Sequence, residues 1–85
     1  MLLAVDVGNT QTVFGLYDGA TLGERWRIAT EAHRTGDELG ALLADFLDEA
    51  ALDGICLSST VPRLIREYEH VAERIGEPLR GDDEL

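Results

Sequence analysis

Asp6, Gly8, Asn9, Thr10 and Thr12 fall in one short run, Asp6-Val7-Gly8-Asn9-Thr10-Gln11-Thr12-Val13, directly after the apolar stretch Met1 to Val5. A carboxylate leaving a buried strand must be paired, hydrogen-bonded or bound to a metal, because its charge is costly near a core. Gly8 can take positive φ and lets the backbone approach a ligand, while the amides after it can point at anionic oxygens. The run therefore reads as a phosphate-handling turn. The same residue types also build ordinary strand-to-strand bends, and the turn taken alone leaves that alternative open. A P-loop is excluded, since that solution needs a lysine and the chain has none.

The elements that would hold this turn can be read from periodicity. Leu2 to Val5 is continuously apolar, as for a central strand covered on both faces. Thr12 to Tyr17 reads as a second strand, so the polar turn joins two strands of a hairpin with no helix directly after it. Asp18-Gly19 signals a second hairpin. Beyond it Leu22, Trp26 and Ile28 are expected on one face of a third strand, with Arg25 and Arg27 on the other.

After the polar loop from Thr30 to Arg34 the apolar period lengthens. Leu39, Leu42, Leu43, Phe46, Leu47 and Ala50 fall at helical spacing, Thr35 and Glu38 fit a capping box, and Asp53-Gly54 is expected to close the helix. Ile55-Cys56-Leu57 reads as a short buried strand, with Cys56 a small core residue. Pro62 opens a second helix with the stripe Leu64, Ile65, Tyr68, Val71, Ala72 and Ile75, stopped by Gly76 and Pro78. Residues 80–85 form a polar, acidic tail to which no structure is assigned.

The order strand, strand, strand, helix, strand, helix predicts an α/β fold with a mixed sheet ordered 3-2-1-4, in which the fourth strand lies parallel to the first. Ligands of such sheets bind outside the carboxyl ends of the parallel strands. Asp6 at one strand end and Ser58, Ser59 and Thr60 at the other should then line one crevice, with the amino terminus of the Pro62 helix nearby to favour an anion.

Composition narrows the classes further. Eighty-five residues make one domain at most, and a net charge of −10 with scattered arginines argues against nucleic acid as a partner. The opening apolar run is too short for a signal-peptide core or a membrane span, so a cytoplasmic protein with no membrane partner is expected. His33 and His70 have no partner at metal-ligand spacing and read as surface. Asp45, Asp48 and Glu49 are expected on the wet face of the first helix, Glu67, Glu69 and Glu73 on that of the second, and Arg34 is expected exposed.

Three strands, a helix, a strand and a helix, with Asp-x-Gly at the first hairpin, resemble the ribonuclease-H-like half of the acetate kinase, sugar kinase, Hsp70 and actin superfamily. The segment from Leu2 through Leu16, Trp26-Arg27-Ile28, Arg34-Thr35 with Asp37-Glu38, and Ser58-Ser59-Thr60-Val61-Pro62 look like the amino-terminal part of type III pantothenate kinase. The resemblance covers residues 1–79 and implies an incomplete amino-terminal ATP-binding domain, with 80–85 unassigned and the second domain absent. It implies that Asp6, Val7, Gly8, Asn9, Thr10, Gln11, Thr12 and Val13 bind ATP phosphates, that Asp6 places Mg²⁺, and that Ser58 and Ser59 stand at the cleft wall. No catalytic residue is expected in this stretch, since the segments that bind pantothenate, carry the base and hold a monovalent cation (K⁺ or NH₄⁺) have no counterpart here. The resemblance also implies ATP and pantothenate as substrates and a homodimer at full length. The chain is thus expected to be the amino-terminal part of such a kinase, inactive as a fragment. The competing expectation is a non-catalytic module of the same fold, such as a transcriptional accessory factor.

Overall fold

The computed structural model describes residues 1–75 and 79–81. Its strands are β1 (Leu2–Val7), β2 (Gln11–Asp18), β3 (Thr21–Ala29), β4 (Gly54–Ser59) and β5 (Leu79–Gly81), and its helices are α1 (Gly36–Phe46) and α2 (Pro62–Ile75). The sheet order is β3-β2-β1-β4-β5. The first three strands form an antiparallel meander, and β4 lies parallel to β1 with Asp6 opposite Ser58 and Val7 opposite Ser59. The expected 3-2-1-4 order is present, and β5 extends it in parallel on the outer edge of β4.

Arg80 and Gly81, expected in an unstructured tail, therefore belong to a strand. Three residues carry no alternation of their own, and it is the free edge of β4 that recruits them. Residues 82–85 of the expected tail, like Gly76 and Pro78, lie outside the described residues.

Both crossovers, β3 to β4 through α1 and β4 to β5 through α2, run the same way across the sheet. The right-handed rule then puts both helices on one face. Leu3, Val5, Val7, Phe14, Ile55 and Leu57 point into that face and are buried against Leu39, Leu43, Leu64, Tyr68 and Val71. Among the described residues nothing covers the other face, so the expectation that β1 is sandwiched is corrected: Leu2 is 39% exposed and Ala4 is half-buried. Cys56, in register with Ala4, shares this open face and is half-buried rather than in the core.

A register shift in β2–β3, where Gly15 pairs with Arg25 but Tyr17 pairs with Leu22, changes the expected face of Leu22. Trp26 and Ile28 pack against the core, Trp26 between Phe14 (ring centroids 5.7 Å) and Phe46 (5.1 Å). Leu22 instead turns to the open face and touches Gly15 and Tyr17 there. One extra residue inverts the alternation beyond it, and composition alone does not announce that residue.

The capping box forms as expected: Glu38 N–H donates to Thr35 Oγ1 at 3.2 Å, and Thr35 N–H donates to Glu38 Oε1 at 3.1 Å. The helix ends earlier than its apolar stripe suggests, with Leu47 extended and its N–H bonded to the Leu43 carbonyl. Asp48 explains the stop, since its Oδ1 accepts from Ala50 N–H at 3.0 Å and opens a 3₁₀ turn, Glu49–Ala51. Glu67 is likewise more than a wet-face residue: it is half-buried, and its Oε1 accepts from Gly36 N–H at 2.9 Å, an anion at the amino terminus of α1. The two helices approach closely at Gly36, where an added Cβ would lie 2.9 Å from His70 Cβ.

Candidate functional site

The carboxyl ends of β1 and β4 meet at one edge of the sheet, as the parallel pairing requires. Asp6 projects from this edge on the open face, in register with Val13 on one side and Ser58 on the other. Its side chain is exposed, so water solvates the charge and the cost expected of a carboxylate near the core does not arise, and it has no hydrogen-bond or ion-pair partner among the described residues. It lines a groove of about 390 Å³ together with Ala4, Val13, Gly15, Cys56 and Ser58, with Arg25 at one end. A larger cavity of about 490 Å³ lies between the amino terminus of α1 and α2, but its polar lining of Asp37, Glu67, His70, Glu73 and Arg74 is remote from Asp6 in the fold.

The turn that follows Asp6 is closed by Gly8 N–H donating to the Gln11 carbonyl at 2.9 Å. Gly8 does not use positive φ. What favours glycine there is space, since a Cβ would stand 3.1 Å from that same carbonyl. Asn9 and Thr10 form the exposed tip, and Thr10's carbonyl accepts from Thr30 N–H at 2.9 Å.

Strand alternation divides the rest of the run. Val7 is fully buried and Thr12 is 2% exposed, its hydroxyl 2.8 Å from that of Thr30. Thr12 thus faces the helices rather than the turn's outer surface. Gln11 is exposed and its Oε1 accepts from Arg27 at 3.4 Å, and Val13 stands 37% exposed on the Asp6 face.

The two serines also part company. Ser58 shares the Asp6 face, whereas Ser59 Oγ donates to the Val61 carbonyl and accepts from Val61 N–H, both at 3.0 Å, so that it shapes the entry to α2. Thr60, next in line, reaches back to the hairpin: its N–H donates to the Val7 carbonyl at 3.0 Å, and its hydroxyl lies 3.3 Å from Asn9 Oδ1. At the first turn of α2, Arg63 Nε donates to the Ala32 carbonyl at 2.7 Å and fastens the 30–34 loop beside this edge.

Arg34, expected exposed, is half-buried, and its Nε is enclosed without a hydrogen-bond partner among the described residues. Its charge is felt at Tyr68, where burial pushes the phenol above its ordinary value and the Arg34 guanidinium pulls the other way. Pairing in sequence showed none of this, because Tyr68 and Arg34 meet only once α2 packs on the sheet. Among the described residues no group of three or more His, Cys, Asp or Glu side chains could hold a metal ion. A lone carboxylate beside a polar turn fits Mg²⁺, which keeps water and phosphate oxygens in most of its positions.

The arrangement can receive an anion at the Gly8–Thr10 tip and a hard cation at Asp6. The family profile for type III pantothenate kinase matches residues 2–80. A type III pantothenate kinase of Acidothermus cellulolyticus is 46% identical over 78 residues, covering 87% of this chain and 30% of that protein. Those of Streptomyces avermitilis (46% over 83 residues) and Syntrophotalea carbinolica (43% over 79) each cover 87% of this chain and 31% of their own length. The chain thus spans less than a third of the length of these relatives. The structure of Thermus thermophilus RuvC superposes with a TM-score of 0.63 at 15% identity, covering 94% of this chain and 61% of that one, which shows a shared ribonuclease-H-like fold. With nearly its whole length inside the family profile, the chain belongs to the type III pantothenate kinase family.

Proposed function

We propose that this chain supplies the ATP-phosphate-binding part of a pantothenate kinase, in which the complete protein transfers the γ-phosphoryl group of ATP to pantothenate at the start of coenzyme A synthesis. The observation that carries the reading is Asp6: an exposed carboxylate without a partner among the described residues, at the carboxyl end of a central parallel strand, beside a tight polar turn. In this reading the backbone N–H groups and side chains of Asn9 and Thr10 receive phosphate oxygens, and Gly8 keeps the turn narrow enough for them to converge. Val7, Gln11, Thr12 and Val13 shape the turn from its two flanks. Asp6 holds Mg²⁺, which when bound neutralises phosphate charge and helps to orient the nucleotide. Phosphoryl transfer asks mainly for such positioning and charge compensation.

Pantothenate binding, the monovalent cation, the homodimer and a cytoplasmic location are carried by the family resemblance and are proposed for the complete protein. Among the described residues no helix is long and apolar enough to cross a membrane.

The test uses the 85-residue chain itself. Titration with MgATP, followed by backbone amide NMR, should shift residues 6, 8–10 and 58–60 with weak affinity. Asp6→Asn should remove the Mg²⁺-dependent part of that response. Shifts confined to the cavity between α1 and α2, or a response indifferent to Asp6, would refute the assignment. The same chain mixed with ATP, Mg²⁺ and pantothenate should give no phosphopantothenate, since positioning both reactants is worth effective molarities of about 10⁵ M or more.

A further inference from the structure

Thr60 lies 51 positions from Asn9 in sequence, yet its hydroxyl is 3.3 Å from Asn9 Oδ1 and 3.3 Å from the Val7 carbonyl oxygen. Its backbone N–H donates independently to that carbonyl at 3.0 Å. The β4–α2 turn therefore grips the β1–β2 hairpin twice, once through the backbone and once through a side chain. A hydroxyl has one proton to give, and because the Val7 carbonyl already accepts from the Thr60 N–H, that proton is left for Asn9 Oδ1.

The consequence falls on Asn9. A carboxamide has an acceptor end and a donor end, and an unrestrained one presents either to an incoming ligand. With Oδ1 turned toward Thr60, the Nδ2 protons are directed away from the β4–α2 turn at the exposed tip of the hairpin. An arriving anion then meets a donor instead of a repelling oxygen. We propose that Thr60 is a positioning residue for phosphate binding, acting by fixing the orientation of the Asn9 carboxamide. The inference rests on the phosphate-binding reading of the turn and adds to it a residue that never touches the ligand.

The contact is exposed, so its net worth to folding is small, and the backbone bond from Thr60 to Val7 survives any side-chain change. Thr60→Val keeps shape and β-branching while deleting the hydroxyl, and Thr60→Ser keeps the hydroxyl. In the 85-residue chain without nucleotide, Thr60→Val should move the Asn9 side-chain NH₂ signals and raise their mobility in ¹⁵N relaxation, while Thr60→Ser should retain the wild-type pattern. MgATP should then bind the valine variant about 3- to 10-fold more weakly, the effect of leaving one side chain to be ordered by the ligand. Asn9 signals unchanged in Thr60→Val overturn the proposal whatever MgATP does. If those signals respond to Thr60→Val but the wild-type chain ignores MgATP, the phosphate reading falls, and the positioning role falls with it while the contact itself stands.

Discussion

The two hairpins of the meander carry the same residue types, an Asp followed closely by a Gly, and use them for different ends. At Asp18-Gly19 the loop between β2 and β3 is two residues long. Gly19 sits at φ +61°, and a Cβ there would meet nothing within 4 Å. Glycine in that place answers a backbone requirement, positive φ at the first central position of a tight turn. At Asp6-Val7-Gly8 the backbone is ordinary and the constraint is crowding, with the Gln11 carbonyl 3.1 Å from where a Cβ would be. Asp18 ends a strand next to the sheet edge, while Asp6 stands at the junction of β1, β2 and β4 without a partner among the described residues. Turn geometry accounts for the Asp18-Gly19 hairpin completely. It leaves the carboxylate and the exposed polar tip of the Asp6–Gly8 hairpin unexplained, and that remainder is what points to a ligand.

The largest separation between the hairpins should appear in nucleotide binding. Asp6→Asn should weaken MgATP binding about tenfold or more, on the scale of losing a contact to a charged group, whereas Asp18→Asn should leave it unchanged. Calorimetric or NMR titration of both variants makes the comparison. Equal losses would mean that general negative charge, rather than the place of Asp6, governs binding.

Stability should separate the glycines in the opposite sense. Gly19→Ala forces an L-residue into the left-handed region and should cost about 1 kcal/mol or somewhat more, with MgATP affinity intact. Gly8→Ala meets no such penalty, and the gain from restricting the unfolded chain offsets much of the crowding, so its stability should stay within about 0.5 kcal/mol of wild type. Its displaced tip should nonetheless lower MgATP affinity. Chemical denaturation of both variants, paired with the titration, checks each half. A Gly8→Ala chain as destabilised as Gly19→Ala would show that the turn cannot yield to the crowding at the Gln11 carbonyl.

How much of this was legible from residues alone depends on whether the signal was local. The sheet order followed from the sequence of elements and the handedness of crossovers, and the Thr35–Glu38 capping box from spacing along one helix. The convergence of Asp6 with Ser58 followed once β1 and β4 were taken as parallel neighbours. What escaped was set by contacts distant in sequence. The register shift that turns Leu22 outward, the edge that recruits Leu79–Gly81, and the enclosure of Arg34 near Tyr68 all depend on partners from other elements. The apolar run of β1 suggested cover on both faces, but Ala4 and Leu2 answer to a face that nothing among the described residues covers. Within the candidate site, the crevice shared by Asp6 and the 58–60 stretch was legible from the parallel pairing, but not that alternation would turn Thr12 toward the helices, nor that Thr60 would reach Asn9.

The smallest expected effects divide the two threonines of the turn. Thr12 is buried and shares a 2.8 Å hydroxyl contact with Thr30, whereas Thr10 is exposed at the tip. Thr12→Val keeps the shape of the side chain but strands the Thr30 hydroxyl in a partly buried place, at a cost of about 1 kcal/mol. Because Thr12 faces the helices, MgATP affinity should hardly change. Thr10→Val removes a hydroxyl that solvent already satisfies, so denaturation midpoints should coincide with wild type, while nucleotide affinity should fall a few-fold if that hydroxyl receives a phosphate oxygen. The pair of variants therefore reads out in opposite columns, stability for one and binding for the other. Loss of nucleotide affinity in Thr12→Val with no loss of stability would require Thr12 to rotate from the core to the ligand, and the division of the turn into a structural and a binding side would have to be redrawn.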